Sequence, residues 1–255
     1  MTAIELLNLS LFKIGVSKTV TSLAEASRQA YTGALVYDHR LRMLLRLFPW
    51  PFATKYATPL TLVAGPAWDE DAVVQEWDAA ATYKIGDVVD SGGTFYYCIL
   101  GHTNQVPPNS TYWDTEAPDE VNGDWLYAYR WPTDCLFARR IVPDLAAGMG
   151  RQFNADPPPF RVGFDVNGLL IYSNQREAEL EYTANDCDAL WADDLFIDAF
   201  TWHLAAALAP SLSKNGLTTK DCLQFFLVAV QLARTTALNE GQQEKDGDPD
   251  WIANR

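Results

Sequence analysis

The residues of this chain that could do chemistry are few and scattered. There are three histidines, His39, His102 and His203. His39 and His203 fall within helical patterns, where an imidazole usually serves packing. His102 stands in a stretch dense in Tyr and Trp and has two readings, a ligand contact or the positioning of a loop. Carboxylates cluster at Asp69-Glu70-Asp71, at Asp186 with Asp188, and at Asp193-Asp194. A carboxylate pair can perform acid–base or glycosidase chemistry, but these sit beside cap positions or on an acidic face, and nothing singles out one pair. The chain contains no P-loop, no nucleophile elbow and no metalloprotease helix motif. Gly148-Met149-Gly150 reads as a flexible loop only. Cys98, Cys135, Cys187 and Cys222 lie far apart with no C-x-x-C pair, which argues against a zinc site or a compact disulfide framework; they read as small buried hydrophobes. The expectation is no catalytic residue, no metal, no cofactor and no enzyme. Arg139-Arg140 and Arg40, Arg42 and Arg46 form the basic clusters. They contact DNA or an acidic partner, or they snorkel on the wet side of their elements.

Helical periodicity runs through Leu6, Leu7, Leu9 and Phe12. Ser22-Leu-Ala-Glu25 has the form of a capping box and opens a second helix through Tyr31, Leu35, Tyr37, Leu41, Leu44, Leu45 and Leu47, which stops at Pro49 and Pro51. Strand texture follows: Thr58–Val63, Trp125–Trp131, Ala138–Val142, Phe160–Phe164, Leu169–Tyr172 and Ala178–Tyr182. Asp165-Val-Asn-Gly168 carries the Asn-Gly hairpin signal. The last third returns to helix, capped by Asp193 or Asp194 and ending near Pro210, then by Thr218 or Thr219. From Asn239 the chain is polar until Trp251-Ile252.

A hydrophobic content of 48% with 20% charged residues is that of a globular chain. The net charge of −14 argues against a surface that grips nucleic acid. That charge is unevenly placed. Residues 67–124 hold 12 Asp/Glu and one Lys, while the other 197 residues sum to −3, a step that suggests a separate module. The start lacks the basic region and cleavage site of a signal peptide, and no apolar run approaches the roughly 20 residues that span a bilayer.

Two resemblances complete the reading. Leu6-Leu7-Asn8, Leu44-Leu45-Arg46-Leu47-Phe48-Pro49-Trp50-Pro51-Phe52-Ala53, Tyr129-Arg130-Trp131-Pro132-Thr133-Asp134-Cys135, Ile171-Tyr172-Ser173-Asn174, Glu181-Tyr182-Thr183 and Leu195-Phe196 leading to Phe200 occur in this order, and a final helix pair precedes a polar arm. The ordered set, over most of residues 1–66 and 122–255, resembles the head-to-tail adaptor (tail tubular, or tail accessory) family of tailed bacteriophages. The resemblance implies a structural virion protein at the head–tail junction, assembled in the host cytoplasm. It implies a homo-oligomeric, dodecameric ring beneath the portal protein, with tail or nozzle proteins below, DNA as passing cargo and no membrane anchor.

The insertion carries Trp77, Tyr83, Lys84-Ile-Gly86-Asp87-Val88-Val89, Gly93, Tyr96 and Trp113. Over about residues 68–115 it resembles the small chitin-type carbohydrate-binding module. The implied glycan contacts are Tyr83, Tyr97, His102, Tyr112 and Trp113, with a surface glycan as a possible partner. Gly101-His102-Thr103 stands where sugar-binding relatives carry exposed tryptophans, a departure that removes the stacking platform and leaves the fold.

The expected fold is α+β: a mainly helical bundle body with a small antiparallel β element, an inserted small all-β module and an extended C-terminal arm. The boundaries are 1–66 and 122–238 for the two parts of the body, 67–121 for the insert and 239–255 for the arm. Trp251 and Ile252 anchor that arm to the portal. The alternatives to an adaptor are a glycan-binding attachment protein and a cell-wall lytic enzyme.

Overall fold

The computed structural model describes residues 1–57, 59–65, 74–116, 119–121, 123–142, 156–185, 193–213 and 218–239. The chain divides into two compact units, Met1–Ala53 with Asp186–Arg255, and Thr54–Asn185. The arm with Trp251 and Ile252, the acidic runs at 69–71 and 186–188, Gly148–Gly150 and Cys187 lie outside the described residues.

Among its described residues the first unit holds four α-helices: α1 (Ala3–Lys13), α2 (Arg28–Leu47), α3 (Asp194–Leu212) and α4 (Thr219–Asn239). α1 opens with a true capping box. The Glu5 N–H donates to Thr2 Oγ1 at 3.3 Å, and the Thr2 N–H donates to the Glu5 carboxylate at 2.7 Å. Ser22-Leu-Ala-Glu25 does not open α2. Its carboxylate takes the Thr21 N–H and hydroxyl within a turn, and Ser27 is the N-cap, accepting from the Ala30 N–H. The correction is local: Ser, two residues and Glu satisfy orphan donors in a turn as well as at a helix start. Thr218 caps α4, reciprocally with Asp221.

Asn8 shows why the Leu-Leu-Asn start matters: its amide both donates to and accepts from the Val20 backbone, at 2.9 and 2.8 Å, pinning the connection to α2. Gly33 lets α2 approach α1, since a Cβ there would stand 2.6 Å from Leu7 Cδ2. After Pro49, Trp50 is buried, donates to the Leu44 carbonyl and meets Phe196 edge-on at 4.9 Å. α3 packs against α1, α2 and α4. By length and composition it is apolar enough to cross a bilayer, although Asp198, His203 and Pro210 divide it into shorter apolar runs. Phe196, Phe200, Leu204 and Leu208 are buried, as in the core helix of a globular unit.

The second unit is made of strands: β1 (Thr54–Ala57), β2 (Leu62–Gly65), β3 (Gln75–Glu76), β4 (Thr82–Tyr83), β5 (Val88–Ser91), β6 (Thr94–Cys98), β7 (His102–Thr103), β8 (Trp113–Asp114), β9 (Asp119–Glu120), β10 (Tyr127–Arg130), β11 (Cys135–Val142), β12 (Phe160–Asp165), β13 (Gly168–Ser173) and β14 (Glu179–Ala184). They form sheets ordered β1-β14-β11, β12-β13-β10-β2-β9, β3-β5-β6-β8 and β4-β7. The three- and five-stranded sheets share one core of Leu62, Tyr129, Ile141, Ile171, Leu180 and Tyr182.

This overturns the expected helical bundle body with a small β element. Among the described residues helix accounts for 36% and strand for 28%, in four sheets, and they form no helical bundle body. Each strand candidate is short and looks minor in isolation. Pairing joins them across long separations, β2 to β10 and β1 to β14, and that sum is invisible to a local pattern.

The insert builds the four- and two-stranded sheets. Gly86, Gly92 and Gly93 take φ of +86°, +66° and +82° at its turns, a region open to glycine. Its own core is Tyr83, Val89, Cys98 and Trp113. It also reaches into the rest of the unit. Ile85 is fully buried among Leu60, Leu62 and Ala178, the Leu62 N–H donates to the Ile99 carbonyl, and Arg176 donates to the Ile85 carbonyl and pairs with Asp87.

Candidate functional site

The sheets bring four of the five expected glycan contacts together. β4 and β7 pair Tyr83 opposite His102. The His102 ring centroid lies 4.7 Å from Trp113, 5.1 Å from Tyr112 and 5.4 Å from Tyr83. The cluster faces inward. Tyr83 is 8% exposed and Trp113 3%, and the Trp77 and Trp113 indoles both donate to the Gln105 carbonyl, at 3.1 and 2.7 Å. The Tyr83 hydroxyl is spent on the Asp78 backbone. Tyr83, Trp77 and Trp113 belong to a packed core with their polar tips satisfied. Tyr97 stands apart: it is half-buried, next to the core residue Cys98 on β6, and strand alternation turns it to the opposite face.

Both ring nitrogens of His102 are buried and lack a hydrogen-bond partner among the described residues. Its ring meets Trp113 and Tyr112 edge-to-face, at 72° and 78°, a geometry that aims polarised ring hydrogens at aromatic faces. Burial holds its pKa below the ordinary histidine value. The neutral ring is thus a component of the insert's core.

Beside this cluster is an open cleft of about 400 Å³, bordered by Thr82, Lys84, Thr103, Glu177 and Glu179. Its polar groups engage one another. The Thr82 and Thr103 hydroxyls are 3.2 Å apart, and Lys84 lies 3.7 Å from Glu177. Glu177 has a left-handed backbone, φ +56°, which a non-glycine residue adopts only under tertiary constraint. Gly101 provides the room, since a Cβ there would stand 2.8 Å from Glu177 Oε1.

The remaining candidates have structural partners. Arg140 pairs with Glu181 at 2.7 Å, Arg139 donates to Thr183 and stacks on Phe137, and Arg40 meets His203. Burial first, and the Asp87 carboxylate among smaller causes, push the Cys98 thiol up to about 12, far from a nucleophile. Among the described residues no group of three or more His, Cys, Asp or Glu is placed to hold a metal.

Two further features went unread in the sequence. On the helical unit, Tyr31 and Leu35 of α2 and Leu227, Val228, Leu232 and Leu238 of α4 are exposed, Val228 at 71%. α4 has one carboxylate, Asp221 in its first turn, although the chain carries −14. On the five-stranded sheet, Trp125, Arg161 and Tyr172 line an open groove. No family model matches this sequence, and no curated protein matches it.

Proposed function

We propose that this protein is the head-to-tail adaptor of a tailed bacteriophage, a structural component that assembles as a ring beneath the portal. The observation that carries the reading is the pair of exposed apolar stripes on α2 and α4. Large apolar side chains left on two helices of one unit form a surface of the kind that association covers. Stripes on two different elements allow head-to-tail contacts between copies, the arrangement that closes a ring. The ordered sequence resemblance supplies the portal above, tail proteins below and DNA through the centre. In this reading the polar segment from residue 239 clasps the portal through Trp251 and Ile252.

The test is native mass spectrometry of the full chain, with co-sedimentation on portal particles. The wild type is expected as a closed oligomer that binds portal. Leu227→Asp with Val228→Asp should give a folded monomer. Truncation after Leu238, or Trp251→Ala, should preserve the ring and lose the portal. A wild type that stays monomeric at tens of micromolar and ignores the portal would sink the reading.

A further inference from the structure

A second group of aromatic and polar side chains lies outside the insert. They border a groove of about 380 Å³ at the β12 edge of the five-stranded sheet. Arg161 is paired directly with Tyr172, and directly opposed residues of antiparallel strands share a face. The neighbour of Tyr172, Ile171, is fully buried in the core between the sheets, so alternation places Tyr172 and Arg161 on the outer face. The Tyr172 ring leans over Gly163, where a Cβ would stand 2.5 Å from its Cε2 atom. Glycine thus gives the ring a flat backbone floor. Trp125, just before β10, and Phe164 line the same groove.

Three of the lining residues carry polar groups with no hydrogen-bond or ion-pair partner among the described residues: the Trp125 indole N–H, the Tyr172 hydroxyl and the Arg161 guanidinium. Among the described residues the lining contains no carboxylate, and Arg161 is its one charge. The cleft beside Tyr83 is the reverse case, with its two threonine hydroxyls bonded to each other and its amine paired with Glu177. A groove of donors and aromatic faces fits a ring-shaped ligand that is rich in acceptors and carries a carboxylate. The weakly positive C–H face of a sugar ring meets the negative face of an aromatic ring. A guanidinium binds a carboxylate through two parallel hydrogen bonds. The volume falls at the low end of small-ligand sites, which run from roughly 300 to 1,000 Å³.

We propose that this groove binds a uronic-acid unit, stacked on Tyr172 and Trp125 with its carboxylate on Arg161. The chain's overall charge of −14 disfavours long polyanions, but at physiological salt that repulsion is screened beyond about 8 Å, so a short acidic oligosaccharide is admitted. The site is a property of one copy and is independent of ring assembly.

The experiment titrates the full-length protein at 0.15 M salt with trigalacturonate and with maltotriose, followed by calorimetry and saturation-transfer NMR. Saturable millimolar binding of trigalacturonate is expected, with maltotriose at least tenfold weaker. Arg161→Gln should remove that preference, Arg161→Lys should keep part of it, and Trp125→Ala should weaken both sugars. Melting temperature should not move in the Arg161 variants. The assignment is overturned if neither sugar saturates, or if Arg161→Gln still prefers the acid. It is also overturned if only the Leu227→Asp, Val228→Asp monomer binds, since the groove would then be a contact between protein copies.

Discussion

Arg40 and His203 lie 3.1 Å apart, guanidinium to imidazole Nε2. Because the guanidinium can only donate, Nε2 accepts and the ring proton sits on Nδ1. Nδ1 is buried with no partner among the described residues, and the ring stacks on Phe226 at 4.6 Å. Burial first, then the Arg40 charge, hold the His203 pKa down to about 4. The unfolded chain takes up a proton near pH 6.5, and the folded helical unit does not until about pH 4. Stability is therefore full above pH 6.5 and falls as pH drops through that window, by roughly 3 kcal/mol at the lower end. Urea unfolding from pH 8 to 4 should show this loss. His203→Gln, which keeps an acceptor for Arg40, should flatten the curve; an unchanged slope would show that other groups carry the acid sensitivity.

Trp113→Ala separates the two readings of the insert's aromatic cluster. A 3%-exposed Trp that donates to Gln105 is core, and its truncation should cost about 3–5 kcal/mol. Amide exchange across residues 75–114 should accelerate sharply, before any sugar is added. Unchanged exchange would return Trp113 to the role of a replaceable ligand contact.

Ile85→Ala tests whether the insert is energetically tied to the sheets that carry it. The side chain is fully buried among body residues, and its truncation should cost about 2–5 kcal/mol. The loss should appear in probes of Tyr129 and Ile171 as well as of the insert. Loss confined to the insert would mean that the two fold separately.

Gly163→Ala should displace the Tyr172 ring, because 2.5 Å is far inside carbon–carbon contact. Overpacking of this kind costs on the order of 1–3 kcal/mol. A lowered melting temperature, with a shifted Tyr172 ring resonance, is the expected result. Neutrality on both counts would show that the ring is not held on that floor.

Local features of the sequence mapped well onto the structure. Pro49 marks the end of α2, Thr218 caps α4, Asn167-Gly168 turns β12 into β13, and Gly86, Gly92 and Gly93 make the insert's turns. Features made by distant residues did not. Tyr83, His102, Tyr112 and Trp113 were legible as a group, but whether rings face sugar or one another depends on the β4–β7 and β6–β8 pairings. Trp125, Arg161 and Tyr172 are scattered in sequence and meet only through the registers of β10, β13 and β12. Trp125 reads as one more alternating aromatic of a half-buried strand. The exposed stripe of α4 was hidden because Leu227 and Val228 look the same in sequence whether they face a core or water.

The hydrogen bond from the Leu62 N–H to the Ile99 carbonyl has a kinetic meaning. β2 and β10 must find each other across roughly sixty residues, and closing a flexible loop of that length costs about 3–4 kcal/mol beyond a constant. An insert that condenses first, through local pairings such as β5 with β6, docks Ile85 and Ile99 onto the start of β2 and shortens the search for β10. Such an insert would act as a folding clip for the body, and weakening its core is then expected to slow the body's refolding more than it hastens its unfolding.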